Sequence, residues 1–255
     1  MMFISIMILI GLSYLSFSLN YTFAQESILV TEAESIQEID GKWGFDREWK
    51  DSAYTGLSYN GGGKLILRTL HDRDYIYVLV DHLGDTFDNK GEDKATVCLN
   101  SKNENPEQKD YCFIVTNGRK NSIVLKENSP TTINSKFKRI FETEFEGMGD
   151  ITNIDRYVDL PHATYEFKIP VDLVGRSSEY QFYVSVYEAQ NDYMLTWPKY
   201  ITLKNNFDIP ASSNWGIMIS PDSSLPEFPL SLSVFIITMF GIIVISRIKV
   251  DFINK

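Results

Sequence analysis

The chain has 255 residues, with 34 Asp and Glu against 24 Lys and Arg, and a formal net charge of −10. So acidic a protein repels phosphate backbones and other polyanions, which excludes a nucleic-acid-binding role. No charge falls in residues 1–24, and beyond Ser224 three bases (Arg247, Lys249, Lys255) stand against two acids (Glu227, Asp251), so the acidity resides between the two ends.

Residues 1–24 read as a secretory signal peptide: an apolar run from Met2 to Leu12, a Ser-rich stretch, then Thr22-Phe23-Ala24 with small residues at the cut. No Lys or Arg precedes the apolar run, and an uncleaved anchor helix is the other reading of the segment. Residues 25–219 then form the exported domain.

Short alternating runs mark the strands of that domain. They are Lys64–Leu70, Tyr75–Val80, Ala95–Leu99, Tyr111–Val115, Ser122–Lys126, Phe137–Phe145, Thr164–Ile169 and Gln181–Tyr187. His71-Asp72-Arg73-Asp74 is the turn between the first two. Gly147-Met148-Gly149 reads as a flexible loop, Ala189–Pro198 as a loop after a strand, and Asp208–Asn214 as a loop near the domain end. Many short strands with both faces partly apolar predict an all-β fold, a two-sheet antiparallel β-sandwich of jelly-roll type.

Cys98 and Cys112 are the two cysteines. In an exported domain they predict a disulfide. Val97 and Leu99 alternate with Cys98, and Tyr111 and Phe113 with Cys112, so both sulfurs point away from the core on neighbouring strands. Closing a loop of about 13 residues contributes roughly 3 kcal/mol.

Residues 220–227 form a stalk, and residues 228–246 carry no charge. A bilayer core of about 30 Å needs about 20 residues of helix, which this run approaches. Arg247 and Lys249 follow at once and place residues 247–255 in the cytoplasm. The expected topology is a single-pass protein with its domain at the extracellular face of the cell membrane. Pro226-Glu227-Phe228 before the apolar run, with Arg247 after it, resembles the PEF-type C-terminal sorting signals of archaeal surface proteins. Pro229 stands where related signals often have Gly. The resemblance implies a sortase-like membrane transpeptidase as a partner; a plain anchor helix is the alternative.

The domain carries a second resemblance. Ile39-Asp40-Gly41-Lys42-Trp43 with Glu48-Trp49-Lys50-Asp51 and Ala53 is similar to the opening of the family 9 carbohydrate-binding, or DOMON-like, domains. Arg68 with Asp72, Tyr75-Ile76-Tyr77-Val78 with Asp81, and Glu92-Asp93-Lys94-Ala95-Thr96-Val97 follow in the family's order. Tyr165-Glu166-Phe167-Lys168-Ile169-Pro170 with Leu173, and Trp197-Pro198, complete it over residues 39–219. The family implies a β-sandwich that binds sugars, haem or other small ligands, with a pair of tryptophans as the sugar platform. The sequence does not single out that pair.

Sugar recognition needs flat aromatic faces with amides and carboxylates beside them. Tyr193, Asn191 and Asp192 cluster with Trp197 after the strand ending near Tyr187, and Trp43 and Trp215 add aromatic surface. Trp49 and Trp197 can equally seal the core. Haem would draw its axial ligands from His71, His82, His162, Met148 and Met194. His82 shares the parity of Ile76, Val78 and Val80 and points inward. Asp85, Asp88, Glu92 and Asp93 could hold Ca²⁺ or form a solvated acidic loop. No catalytic motif of the Gly-x-Ser-x-Gly, His-Glu-x-x-His or P-loop type is present, so no enzymatic role is expected. The reading is a membrane-anchored, non-catalytic surface module whose partner is a carbohydrate or glycan, with no cofactor required. A structural or adhesive surface protein and a haem-binding redox module are the alternatives.

Overall fold

Alternation at period two is obeyed most fully in β4 (Lys64–His71) and β5 (Tyr75–His82). Leu65 and Leu67 of β4 and Ile76, Val78 and Val80 of β5 face one side; Leu70, Tyr77 and Leu79 face the other. Their turn forms because the Asp72 carboxylate accepts the backbone N–H groups of Asp74 and Tyr75, at 2.8 and 2.7 Å, an Asx turn. This is a computed structural model, and it describes residues 26–34, 37–44, 48–101, 109–120, 123–128, 136–153, 157–199 and 208–220.

The remaining strands are β1 (Ser27–Leu29), β2 (Thr31–Glu32), β3 (Ala53–Ser58), β6 (Lys94–Ser101), β7 (Tyr111–Thr116) and β8 (Ile123–Glu127). β9 (Phe137–Ile140), β10 (Glu146–Thr152), β11 (His162–Pro170), β12 (Glu179–Glu188), β13 (Tyr193–Trp197) and β14 (Gly216–Ile219) follow. One sheet runs β1-β14-β12-β6-β7-β8-β9, with β13 also paired to β12. The other runs β10-β11-β5-β4-β2, with β3 also paired to β4. A helix of four residues, α1 (Val171–Val174), follows β11.

The core lies between the sheets. Val78, Val80, Tyr165, Phe167 and Ile169 from one meet Val97, Phe113, Phe182, Val184 and Trp197 from the other. Each sheet also buries part of its outer face. Trp49 covers Leu70, Tyr77 and Leu79 on one side, and Trp215 covers Cys98, Cys112 and Tyr183 on the other. Cys98 and Cys112 are direct partners in the β6–β7 register and are joined by a disulfide with Cα atoms 4.0 Å apart, on the outer face as their parity requires.

The all-β, two-sheet architecture agrees with expectation, and each of the eight expected runs contains a strand, while several details differ. The sheets are mixed rather than wholly antiparallel: β1 runs parallel to β14 and β2 to β4. The expected Phe137–Phe145 strand ends at Ile140. Gly147-Met148-Gly149 is strand, not loop. A side chain at Gly149 would meet Tyr165 at 2.8 Å, and one at Gly147 would meet Val115 and Phe145, so close packing rather than flexibility requires glycine there. The stretch after β12 contains β13, where a loop was expected.

Among the described residues no helix is long and apolar enough to cross a membrane. Residues 1–24, the Pro226-Glu227-Phe228 tripeptide and the 228–246 run lie outside the described residues.

Candidate functional site

Three connections meet at one end of the sandwich: the β3–β4 hairpin, the β5–β6 loop and the β12–β13 turn. They enclose a cleft of about 430 Å³ lined by Asn60, Gly61, Gly62, Gly63, Gly84, Glu188, Asn191 and Tyr193. Gly61 and Gly62 lie in the left-handed region, at φ 92° and 95°, which the hairpin requires. No atom would meet a side chain at either, so one wall of the cleft is bare backbone.

The opposite wall is polar and ordered. Asn191 Nδ2 donates to Glu188 Oε1 at 2.5 Å. The Tyr193 hydroxyl lies 3.2 Å from His82 Nε2 and also interacts with the Glu188 carboxylate. Burial first, then the hydrogen bond to Glu188, holds the Tyr193 hydroxyl well above its ordinary pKa, so it stays protonated. Asp192 is exposed beside the cleft, in a left-handed conformation at φ 48°, and accepts a hydrogen bond from Tyr187 Oη at 3.0 Å.

Behind this wall lies a pocket of buried ionisable groups. His82, Asp85, Asp93 and Tyr165 have no exposed surface. His82 Nδ1 lies 3.8 Å from Asp85 Oδ2. Burial, then the nearby His162, lowers the His82 pKa to about 4, so the ring is neutral. Burial, then the charge of Asp93, pushes Asp85 up to about 7. Asp93 is raised by burial, while its Oδ1 accepts the Ala189 N–H at 2.8 Å and thereby fixes the base of the β12–β13 turn.

The acidic loop considered for Ca²⁺ divides between inside and outside. Asp85 and Asp93 turn inward while Asp88 and Glu92 face solvent. Among the described residues no group of three or more His, Cys, Asp or Glu side chains is arranged to hold a metal ion.

The six residues expected to bind ligand separate into two sets. Asn191 and Tyr193 line the cleft with Asp192 beside them. The three tryptophans are elsewhere. Trp197 is 2% exposed, packed in the core against Phe182 with ring centroids 5.6 Å apart. Trp215 is 1% exposed, stacks on Tyr183 and donates its indole N–H to Pro210 O at 3.0 Å. Neither offers a ring face to a ligand, because burying the large apolar ring in the sandwich is the more favourable use of it. Trp43 is half-buried on the other sheet's outer face. There the Arg68 guanidinium lies 4.4 Å from the Trp43 ring and 5.2 Å from that of Tyr54. Asn60, the three glycines, Gly84 and Glu188 were not anticipated; the Asn60-Gly61-Gly62-Gly63 run is the signal that could have found them.

The haem-ligand candidates do not converge. His82 faces inward, as its parity predicts, and is engaged by Tyr193. His71 is at the opposite end of the neighbouring strand, near Ser220. His162 pairs with Asp81 at 2.8 Å on the outer face. Met148 packs over Gly41, and Met194 lies near Thr96 and Leu125 on the other sheet. These positions do not fit two axial ligands on opposite sides of one haem.

The Ile39–Trp49 segment has a structural task. Glu166 of β11 is buried, and its carboxylate accepts Trp49 Nε1–H at 2.8 Å and the Asp40 and Gly41 N–H groups at 2.9 and 2.7 Å. Burial outweighs these donors and pushes its pKa up to about 8.

No family model matches the chain, and no curated protein matches it. Two solved structures of a family 9 carbohydrate-binding module from Caldicellulosiruptor kristjanssonii are similar to it. The complex with glucose has 13% sequence identity, covers 76% of this chain and 95% of that one, and has a TM-score of 0.45. The complex with cellotriose has 13% identity, covers 80% of this chain and 100% of that one, and has a TM-score of 0.42.

Proposed function

We propose that this chain is a cell-surface, membrane-anchored module that binds a neutral carbohydrate non-covalently in the cleft between the Asn60–Gly63 hairpin and the Glu188–Tyr193 turn. The observation that carries this reading is the composition of the cleft. Two amides, one carboxylate and bare backbone provide donors and acceptors for hydroxyl groups, and the half-buried Tyr193 ring provides an apolar surface. No Lys, Arg or His is among its lining residues. With a net charge of −10 on the chain, a neutral ligand is favoured over an anionic one.

Binding is favoured over hydrolysis. Glu188 is the one carboxylate among the lining residues, and glycoside hydrolysis ordinarily needs two flanking the scissile bond. The export signal, the uncharged 228–246 run and the basic residues after it support display on the outer face of a cell membrane. The Pro226-Glu227-Phe228 approach supports transfer by a sortase-like transpeptidase.

Calorimetric titration of the detergent-solubilised protein with neutral mono- and oligosaccharides tests the reading. Binding should be weakened about tenfold in Asn191→Ala, the loss of one hydrogen-bonding side chain at the site. A folded protein that binds nothing across a broad glycan panel would instead be a structural or adhesive surface component.

A further inference from the structure

We infer that His82 and Asp85, which do not line the cleft, act as positioning residues that decide whether the Tyr193 hydroxyl turns its hydrogen toward Glu188 at the cleft or inward to His82. The inference rests on the carbohydrate reading of the cleft for its consequence, but its geometry is independent of any ligand.

The groups form a line. Asp85 Oδ2 faces His82 Nδ1 at 3.8 Å, His82 Nε2 faces Tyr193 Oη at 3.2 Å, and the Tyr193 hydroxyl also interacts with Glu188. His82 and Asp85 are fully buried, so bulk water does not substitute for a missing partner. The two inner atoms, His82 Nδ1 and Asp85 Oδ2, are both without a hydrogen-bond partner among the described residues, and they face each other. A neutral imidazole has one N–H and one lone pair, so fixing one nitrogen fixes the other.

Two arrangements satisfy the line. With Asp85 protonated, its O–H points to the Nδ1 lone pair, and His82 carries its proton on Nε2 and donates to Tyr193 Oη. The Tyr193 hydroxyl then turns its hydrogen toward Glu188, which also takes the Asn191 amide. With Asp85 ionised, His82 carries its proton on Nδ1 and donates to Asp85. Nε2 then accepts the Tyr193 hydroxyl, whose hydrogen turns inward, and Glu188 loses a competing donor and becomes a stronger acceptor for a ligand hydroxyl. The change releases one proton, from Asp85 to solvent, and the imidazole stays neutral in both states.

The surroundings place the change near neutrality. Asp85 faces Asp93, Glu188 and Asp88 from the loop and the β12 end, the Phe87 N–H from its own loop, and the Tyr165 hydroxyl from β11. Burial and the three acids hold its proton to about pH 7 against the Phe87 N–H. His82 faces His162 in addition to Asp85 and Tyr193, and burial with His162 keeps it from taking up a second proton until about pH 4. The ring is therefore neutral where Asp85 titrates, which a tautomer exchange requires.

The test is ¹⁵N NMR of the histidine rings in the full-length protein from pH 5 to 9. His71, His82 and His162 are the three histidines, so substitution of each assigns the signals. The His82 pattern should pass from an Nε2–H to an Nδ1–H tautomer as pH rises. Asp85→Asn, which cannot ionise, should hold His82 in one tautomer throughout. Sugar affinity should be about tenfold higher at pH 8 than at pH 6 in the wild type, one strengthened hydrogen bond to a charged group, and flat with pH in Asp85→Asn. A single His82 tautomer across the range in the wild type overturns the inference, whether or not Asp85→Asn folds. So does abolition of the change by millimolar Ca²⁺, which would show the Asp85–Asp93 pair to be a cation site. A tautomer exchange in a protein that binds no sugar would confirm the line of groups and refute the carbohydrate reading instead.

Discussion

The Trp49 indole donates its Nε1–H to Oε1 of Glu166 at 2.8 Å, joining the segment before β3 to the centre of β11 across 117 residues of chain. The other oxygen of the same carboxylate takes the Asp40 and Gly41 N–H groups. A buried carboxylate is costly unless its oxygens are satisfied, and three N–H donors satisfy them here. Gly41 is at φ 80°, and a side chain there would meet the Asp150 backbone at 2.8 Å, so this turn admits glycine. The Ile-Asp-Gly and Glu-Trp motifs therefore dock a covering segment on the sandwich and do not line the cleft.

Glu166→Ala should destabilise the protein by about 2–4 kcal/mol, since it leaves the buried Trp49 and Gly41 donors and the part-buried Asp40 N–H unpaired. Chemical denaturation of the variant and wild type measures this. A difference under about 0.5 kcal/mol would show that water replaces the carboxylate without cost.

Gly216→Ala should also be destabilising, by about 1–3 kcal/mol, the usual cost of overpacking a core. A methyl group there would run into the Trp197 ring and the Glu26 carbonyl, the latter at 2.9 Å. Trp197 is buried and cannot swing away. Thermal melts followed by tryptophan fluorescence report both the loss and its location; a melt unchanged from wild type would mean that the ring yields.

The buried pocket gives stability a pH dependence with opposing contributions. Asp85 binds its proton more tightly when folded, so its contribution is present below its ordinary carboxylate pKa, near 4, and is lost as pH rises to about 7. Asp93 acts in the same direction. The His82 pKa falls from 6.5 to about 4, so its contribution grows as pH rises between those values. Asp85→Asn removes one falling contribution and should make stability rise more steeply from pH 4 to 6.5 than in the wild type. Urea midpoints measured across that range would contradict this assignment if the two slopes coincide.

Much of this architecture is legible in the residues themselves. The β4–β5 hairpin is visible because Leu65, Leu67, Ile76, Val78 and Val80 alternate strictly and an Asx turn joins them. The disulfide follows from parity on two strands. What escapes is set by partners distant in sequence. Gly147 and Gly149 resemble a loop until Val115, Phe145 and Tyr165 are seen to press on them. β1, β2 and β14 are two to four residues long, too short for a periodic signal. At the cleft, Asn191 and Tyr193 stand out by residue type near a turn. Glu188, His82 and Asp85 do not, because their importance comes from β5 and β12 ending at the same edge of the sandwich. The tryptophans mislead because a ring suited to stacking on a sugar is equally suited to filling a core.

A neutral sugar is expected to sit in the cleft between the Asn60–Gly63 hairpin and the Glu188–Tyr193 turn. Amide-resolved NMR of the isotopically labelled protein, titrated with neutral oligosaccharides, tests it most directly. Shifts are expected only at the cleft: Asn60 to Gly63, Gly84, Glu188, and Asn191 to Tyr193. Saturable shifts centred on Trp43, Tyr54 and Arg68, or no shifts with any sugar, would contradict it.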